Sequence, residues 1–128
     1  MHIIPAYAAL LALLFVGLSA LVIRQRGRAK VAIGSGGDAL LERAMRVQAN
    51  FAEYVPFAIL LLALMELQGA PALLLHGLGL LLLVGRLSHA YGVSQESENF
   101  RFRVSGMMAT FVTLTVAALY LLWRAFTG

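Results

Sequence analysis

Arg46, Asn50 and Glu53 are spaced at i, i+4 and i+7, which puts three side chains on one face of a helix. Glu53 then lies about 10 Å further along the axis than Arg46, at 1.5 Å per residue. Glu42 and Arg43 extend this face at its polar end, and the residues after Glu53 are almost all apolar. A carboxylate entering an apolar stretch is expensive unless paired, so it usually marks a site. The competing reading is structural, with Arg46 and Glu53 acting as glue between helices. Arg86 and His89 stand at i and i+3 near the end of another apolar run, and Arg103 opens a further one, with Arg101 just before it. Asn50, Glu53, Arg86, His89 and Arg103 thus fall in one layer. Arg46, Arg86 and Arg103 against Glu53 leave a positive excess, which suits a multiply anionic ligand. Taken singly, Arg86 and Arg103 are also consistent with snorkelling to lipid phosphate.

The other chemistry-bearing residues are less informative. His2 is terminal, and His76 has no sequence partner, so it reads as a hydrogen-bonded histidine rather than a ligand. The histidine spacing and the lack of cysteine argue against a metal site. Without cysteine there is no disulfide framework, and any thiol chemistry needs a thiol from the substrate. Gly34-Ser35-Gly36-Gly37 lacks the lysine and flanking strand of a phosphate-binding loop.

These residues sit in an apolar chain. Of its 128 residues 61% are apolar and 12% charged, with a net charge of +4; soluble domains hold about 45–50% and about 25%. One compact unit spanning residues 1–128 is expected, with lipid as its solvent. The basic residues flank the apolar runs, which favours anionic lipid or an anionic small molecule as partner. No basic module or aromatic platform points to nucleic acid.

Crossing a hydrocarbon core of about 30 Å takes about 20 apolar residues in a helix. Four stretches suffice, giving an all-α, integral membrane four-helix bundle with helices at about 5–23, 39–68, 72–90 and 103–123. The first is not a signal peptide, since Met1-His2-Ile3-Ile4 lacks positive charge. Asp38 is a plausible N-cap for the second. Pro56 should bend that helix. Gly69-Ala70-Pro71 reads as a tight turn. Gly77, Gly79, Gly85 and Gly106 allow close helix contact in lipid. Phe111 and Trp123 read as packing or lipid-facing surface. Nine of the ten basic residues fall on one side of this path, and only Arg124 on the other. The positive-inside rule then puts loops 24–38 and 91–102 in the cytoplasm and both termini outside. Four such helices shield few polar groups alone, which argues for an oligomer.

The stretch Glu42–Pro56 has the pattern Glu-Arg-x-x-Arg-x-Gln-x-Asn-x-x-Glu-Tyr-x-Pro. It resembles the signature of the MAPEG family, the membrane-associated proteins of eicosanoid and glutathione metabolism. The resemblance continues through Gly85-Arg86-Leu87, Gly92 and Arg103, and the run from Arg103 to Thr110 resembles the bacterial branch. It implies an inner-membrane homotrimer that binds glutathione between neighbouring subunits, open to the cytoplasm. By position, Arg46, Asn50, Glu53 and Tyr54 would contact glutathione, and Gln48, on the opposite side of the helix, would lie at a subunit boundary. Arg26 aligns with an arginine lent by the neighbour. Arg103, or else Arg101, aligns with the arginine that polarises the thiol, and Arg86 and His89 complete the layer.

The implied activity is that of a glutathione transferase or peroxidase acting on a lipophilic small-molecule electrophile. The alternative is a non-catalytic MAPEG-fold membrane protein with a structural or ligand-binding role. Leukotriene-forming animal members carry tyrosines near positions 89 and 93, where this chain has His89 and Val93; an eicosanoid substrate is therefore not implied. A four-helix multidrug exporter would need a carboxylate in the first helix, and residues 5–23 hold no charge.

Overall fold

A computed structural model describes residues 1–128. Four helices follow in chain order: α1 (Ile4–Ala29), α2 (Ala39–Leu67), α3 (Ala72–Ser94) and α4 (Phe100–Thr127). Each is long and apolar enough to cross a membrane.

The ends of the helices differ from the sequence expectation, and always by lengthening or shifting a polar end. α1 continues six residues past Ile23, because Arg24, Gln25, Arg26 and Arg28 are good helix formers with no proline among them. It stops where Lys30 adopts a left-handed conformation (φ 57°), a common way for a helix to end. α3 runs four residues beyond Ala90, and α4 starts three before Arg103. Asn99 caps α4, its side chain accepting from Arg101 N at 3.1 Å. Arg101 therefore lies in the first turn of α4 rather than ahead of it.

Other expectations hold. Asp38 caps α2 by accepting from Leu41 N at 3.0 Å. That amide and the Arg28 guanidinium hold the Asp38 carboxyl below its usual range. Gly69 closes α2 in the left-handed region (φ 78°), and Pro71 leads into α3. His76 Nδ1 is bonded to Tyr7 Oη at 2.8 Å, as expected of a satisfied histidine.

Apolar residues at helical spacing on α2 (Phe51, Val55, Ala58, Leu62, Met65) form the centre of the core. Leu11 of α1, Leu75 and Leu82 of α3 and Ala117 of α4 close around them. α2 and α3 are central. α1 rests on both without touching α4, and α3 and α4 share the most extensive contact. Between helices in lipid there is little hydrophobic drive, so close approach carries the packing. A Cβ added at Gly85 would meet the Ala109 methyl at 2.6 Å, and one at Gly106 would meet the His89 Cβ at 2.6 Å. Only glycines let α3 and α4 cross this closely. Gly79 likewise receives the Tyr7 ring, but Gly77 faces open space and takes no part in helix contact.

Two polar clusters lie at opposite ends of the bundle. At the end holding both termini, the Glu66 carboxylate of α2 accepts from Ile3 N at 2.8 Å and Ile4 N at 3.0 Å. It thereby caps α1, whose first turn has no other side-chain cap. The other end holds the site.

Candidate functional site

α2, α3 and α4 converge on a cleft of about 320 Å³, within the range of small-molecule sites. Its polar lining comes from Arg46, Asn50 and Glu53 on α2, His89 on α3 and Arg103 on α4. Ala49, Val93 and Met107 supply the apolar part. The helical spacing that put the α2 stripe on one face thus delivers it to the cleft wall, and the expected layer largely assembles.

Arg46 and Glu53 do not pair with each other. Arg46 Nε instead meets Glu42 Oε1 at 3.0 Å, one turn back on the same helix. Arg46 is mostly exposed, and such a surface pair contributes only about 0.3–0.5 kcal/mol, so it yields readily to a ligand. Glu53 has no hydrogen-bond or ionic partner in its own chain. The glue reading of this pair therefore has no contact behind it.

Arg86 does not line the cleft. It is among the most buried side chains of the protein, 1% exposed, and stands behind Asn50. Its Nη2 donates to Asn50 Oδ1 at 2.7 Å, and its Nη1 to Thr110 Oγ1 at 3.3 Å. The guanidinium also lies over the Phe51 ring at 5.7 Å. Snorkelling is excluded for Arg86 by this burial. With its Oδ1 held from behind, Asn50 presents its NH2 group to the cleft. His89 Nδ1 sits 3.4 Å from Arg86 Nη2. A guanidinium can only donate, so Nδ1 accepts and the His89 proton resides on Nε2. His89 thus retains a donor at this position, whereas Val93 offers none.

Arg103 lines the cleft and Arg101 does not. Two residues apart on a helix, they point to different faces, and Arg101 is exposed. Arg103 Nε lies 3.0 Å from Glu98 Oε2, close enough for an ion pair, though off hydrogen-bond angle. Glu98 Oε1 also receives Arg43 Nη1 at 2.8 Å. This clamp was not legible in the sequence, where Glu98 is one acidic residue of a polar loop.

Three expected residues lie elsewhere. Gln48 points away from the cleft, as expected, and donates to Ser19 Oγ of α1 at 3.0 Å. Arg26 is bound into the α1–α2 connection, donating to Gly34 O at 2.7 Å and Val31 O at 3.3 Å. Tyr54 is half-buried, its ring edge-on to Phe111 of α4 at 5.6 Å. Phe111 and Trp123 are largely exposed, each with one edge-on aromatic neighbour, Tyr54 and Tyr120 respectively. Thr110, which joins Arg86 to the Gly106 carbonyl, carried no sequence signal.

A sequence model of the MAPEG family matches residues 4–123. The chain belongs to the MAPEG family. The match takes in all but the last turn of the four-helix unit and every residue of the cleft. The chain is similar to "Inner membrane protein YecN" of Escherichia coli strain K12, 44% identical over 117 residues. The match covers 91% of this chain and 88% of that protein. The protein of the same name from Escherichia coli O6:H1 matches equally well.

Proposed function

We propose that the cleft binds glutathione and that the protein is an inner-membrane glutathione transferase or peroxidase acting on lipophilic electrophiles. The observation that carries this reading is the unpaired Glu53 in a cleft whose other polar lining consists of cations and donors. Glutathione has two carboxylates, one ammonium and one thiol. Arg46 is placed to take a carboxylate in bidentate fashion, the Asn50 NH2 and His89 Nε2 to donate to oxygen, and Glu53 to accept from the ammonium.

A thiol with a pKa of about 8.5 is roughly 3% thiolate at pH 7. A guanidinium beside it lowers that pKa, and with Arg46 assigned to a carboxylate, Arg103 is the remaining cleft arginine for this role. Its terminal amino groups would hold the sulfur as thiolate. With an electrophile, sulfur forms a bond to carbon as the leaving group departs. With a peroxide, sulfur attacks oxygen, the O–O bond breaks and the alkoxide takes a proton. A second glutathione then reduces the sulfenic product, releasing water and the disulfide.

In this reading the functional unit is a homotrimer. Each apolar helix window is only 22% to 39% buried within one chain, leaving ample surface for other copies and for lipid. Arg26, bonded to the α1–α2 connection and to Met45 of α2, would be released from these contacts to reach a neighbour's cleft. The inner-membrane location rests on the name of the relatives and on the apolar helices, and the charge count puts loops 24–38 and 91–102 in the cytoplasm with both termini outside.

Calorimetry with purified protein tests the reading, followed by ultraviolet detection of bound thiolate. Millimolar glutathione should bind and show thiolate at neutral pH. Failure to bind would sink the proposal, and binding without turnover of any lipophilic electrophile would leave a ligand-binding protein.

A further inference from the structure

Glu98 and Arg43 have no task in the glutathione reading. Yet Glu98 is drawn inward, its side chain 3% exposed, while Gln95, Glu96, Ser97 and Asn99 around it are exposed. Burying a carboxylate costs several kcal/mol unless it is well paired. Here Oε1 accepts from Arg43 Nη1 at 2.8 Å, and Oε2 lies 3.0 Å from Arg103 Nε as an ion pair without a hydrogen bond. Arg43 is fixed in turn by donating to Val93 O at 2.9 Å. Arginines of α2 and α4 thus meet on one loop carboxylate, and Arg43 ties it to α3.

The geometry at Arg103 is specific. Glu98 engages Nε, and the terminal Nη1 and Nη2 make no hydrogen bond within the chain. A carboxylate on the Nε side draws the guanidinium toward it by charge and leaves the Nη groups as donors for something else. The charges fit the same purpose. A lone carboxylate 3.0 Å from Arg103 would cancel its field at the cleft. With Arg43 on the other oxygen, two guanidiniums face one carboxylate and one positive charge remains.

We propose that Glu98 is a positioning residue that aims the free Nη groups of Arg103 into the cleft, with Arg43 as the counter-charge that preserves Arg103's field. The proposal rests on Arg103 as the thiol-polarising residue. Glu98 touches no ligand and acts through Arg103 alone.

The test uses the full chain in nanodiscs and two readouts. The first needs no ligand: nitrogen NMR relaxation of the Arg103 guanidinium, expected to show restricted side-chain motion in the wild type and freer motion in Glu98→Gln. The second follows the thiolate band of bound glutathione against pH. Glu98→Gln and Glu98→Ala should each raise the thiol pKa by about one unit, cutting thiolate about tenfold at a pH well below that pKa, while the glutathione Kd stays within about twofold. Glu98→Asp should recover part of the shift. Arg43→Gln should raise the pKa by less, because it leaves Glu98 uncompensated but present. If Glu98→Ala does not fold, Glu98→Gln and Arg43→Gln, which keep most of the packing volume, carry the result. An unmoved thiol pKa would show a loop anchor only, and a pKa that falls in Glu98→Gln would show a carboxylate that merely opposes the thiolate; either overturns the proposal. If the wild type binds no glutathione, the functional reading falls and the NMR decides separately: restricted Arg103 motion that Glu98→Gln releases keeps the clamp, and motion alike in both removes it.

Discussion

Glu66 and Glu98 are both acidic residues of an apolar four-helix chain, and they sit at opposite ends of it. Glu66 is answered by backbone amides of α1, which have no alternative use. Glu98 is answered by two arginine side chains, one of which keeps free donors facing a cleft. The first arrangement is closed and the second leaves capacity over. The same contrast separates Glu66 from Glu53, which has no partner at all. In an apolar chain, the polar groups that remain under-used are the ones to suspect of function.

The largest effect should come from the cleft end. Arg103→Ala should cut glutathione-dependent turnover by about 100-fold, the usual scale for removing a donor that stabilises a reacting anion, with loss of the bound thiolate band. Arg101→Ala should leave both unchanged. Equal losses in the two variants would erase the distinction between the α4 faces.

Next comes Asn50, which belongs to both the site and its support. Asn50→Ala leaves the buried Arg86 Nη2 without its closest acceptor, and hydrogen bonds to charged groups are worth about 1.5–3 kcal/mol. A fall of about 2 kcal/mol in stability together with weaker glutathione binding is expected, read by thermal unfolding in detergent and by calorimetry. Loss of binding at unchanged stability would mean that Arg86 finds another acceptor.

At the opposite end only stability should move. Glu66→Ala frees the first amides of α1 and should cost about 1–2 kcal/mol, as for a lost helix cap, with glutathione affinity untouched. Hydrogen exchange at Ile3 and Ile4 would report it directly. An altered affinity would show that the two ends are coupled.

The smallest effect concerns Asp38. Its carboxyl is lowered in the folded protein by the Leu41 amide and by Arg28. The stabilisation is therefore fully present above its unfolded pKa of about 3.9 and is lost as pH falls through the folded value. Fraying of the first turn of α2 should appear only in acid, and Asp38→Ala should show it at neutral pH.

The apolar centres of all four helices were legible, because twenty apolar residues in a row admit little else. Their ends were not. Arg24 to Arg28 look like a loop by polarity, yet they prolong α1 because helix propensity is indifferent to charge. The α2 stripe was legible through its i, i+4, i+7 spacing, and it lines the cleft. The place of Arg86 was not, since burial behind Asn50 depends on how closely glycines let α3 and α4 cross. Glu98 was invisible as a clamp because Arg43 lies 55 residues away and only tertiary packing joins them.

The Glu66 cap also sets an order of events. During synthesis α1 emerges long before residue 66, so its first amides have no protein acceptor when it enters the bilayer. They stay hydrated at the membrane surface until the end of α2 arrives beside them. The start of the protein is therefore completed by the second crossing, and α1 and α2 mature as a pair.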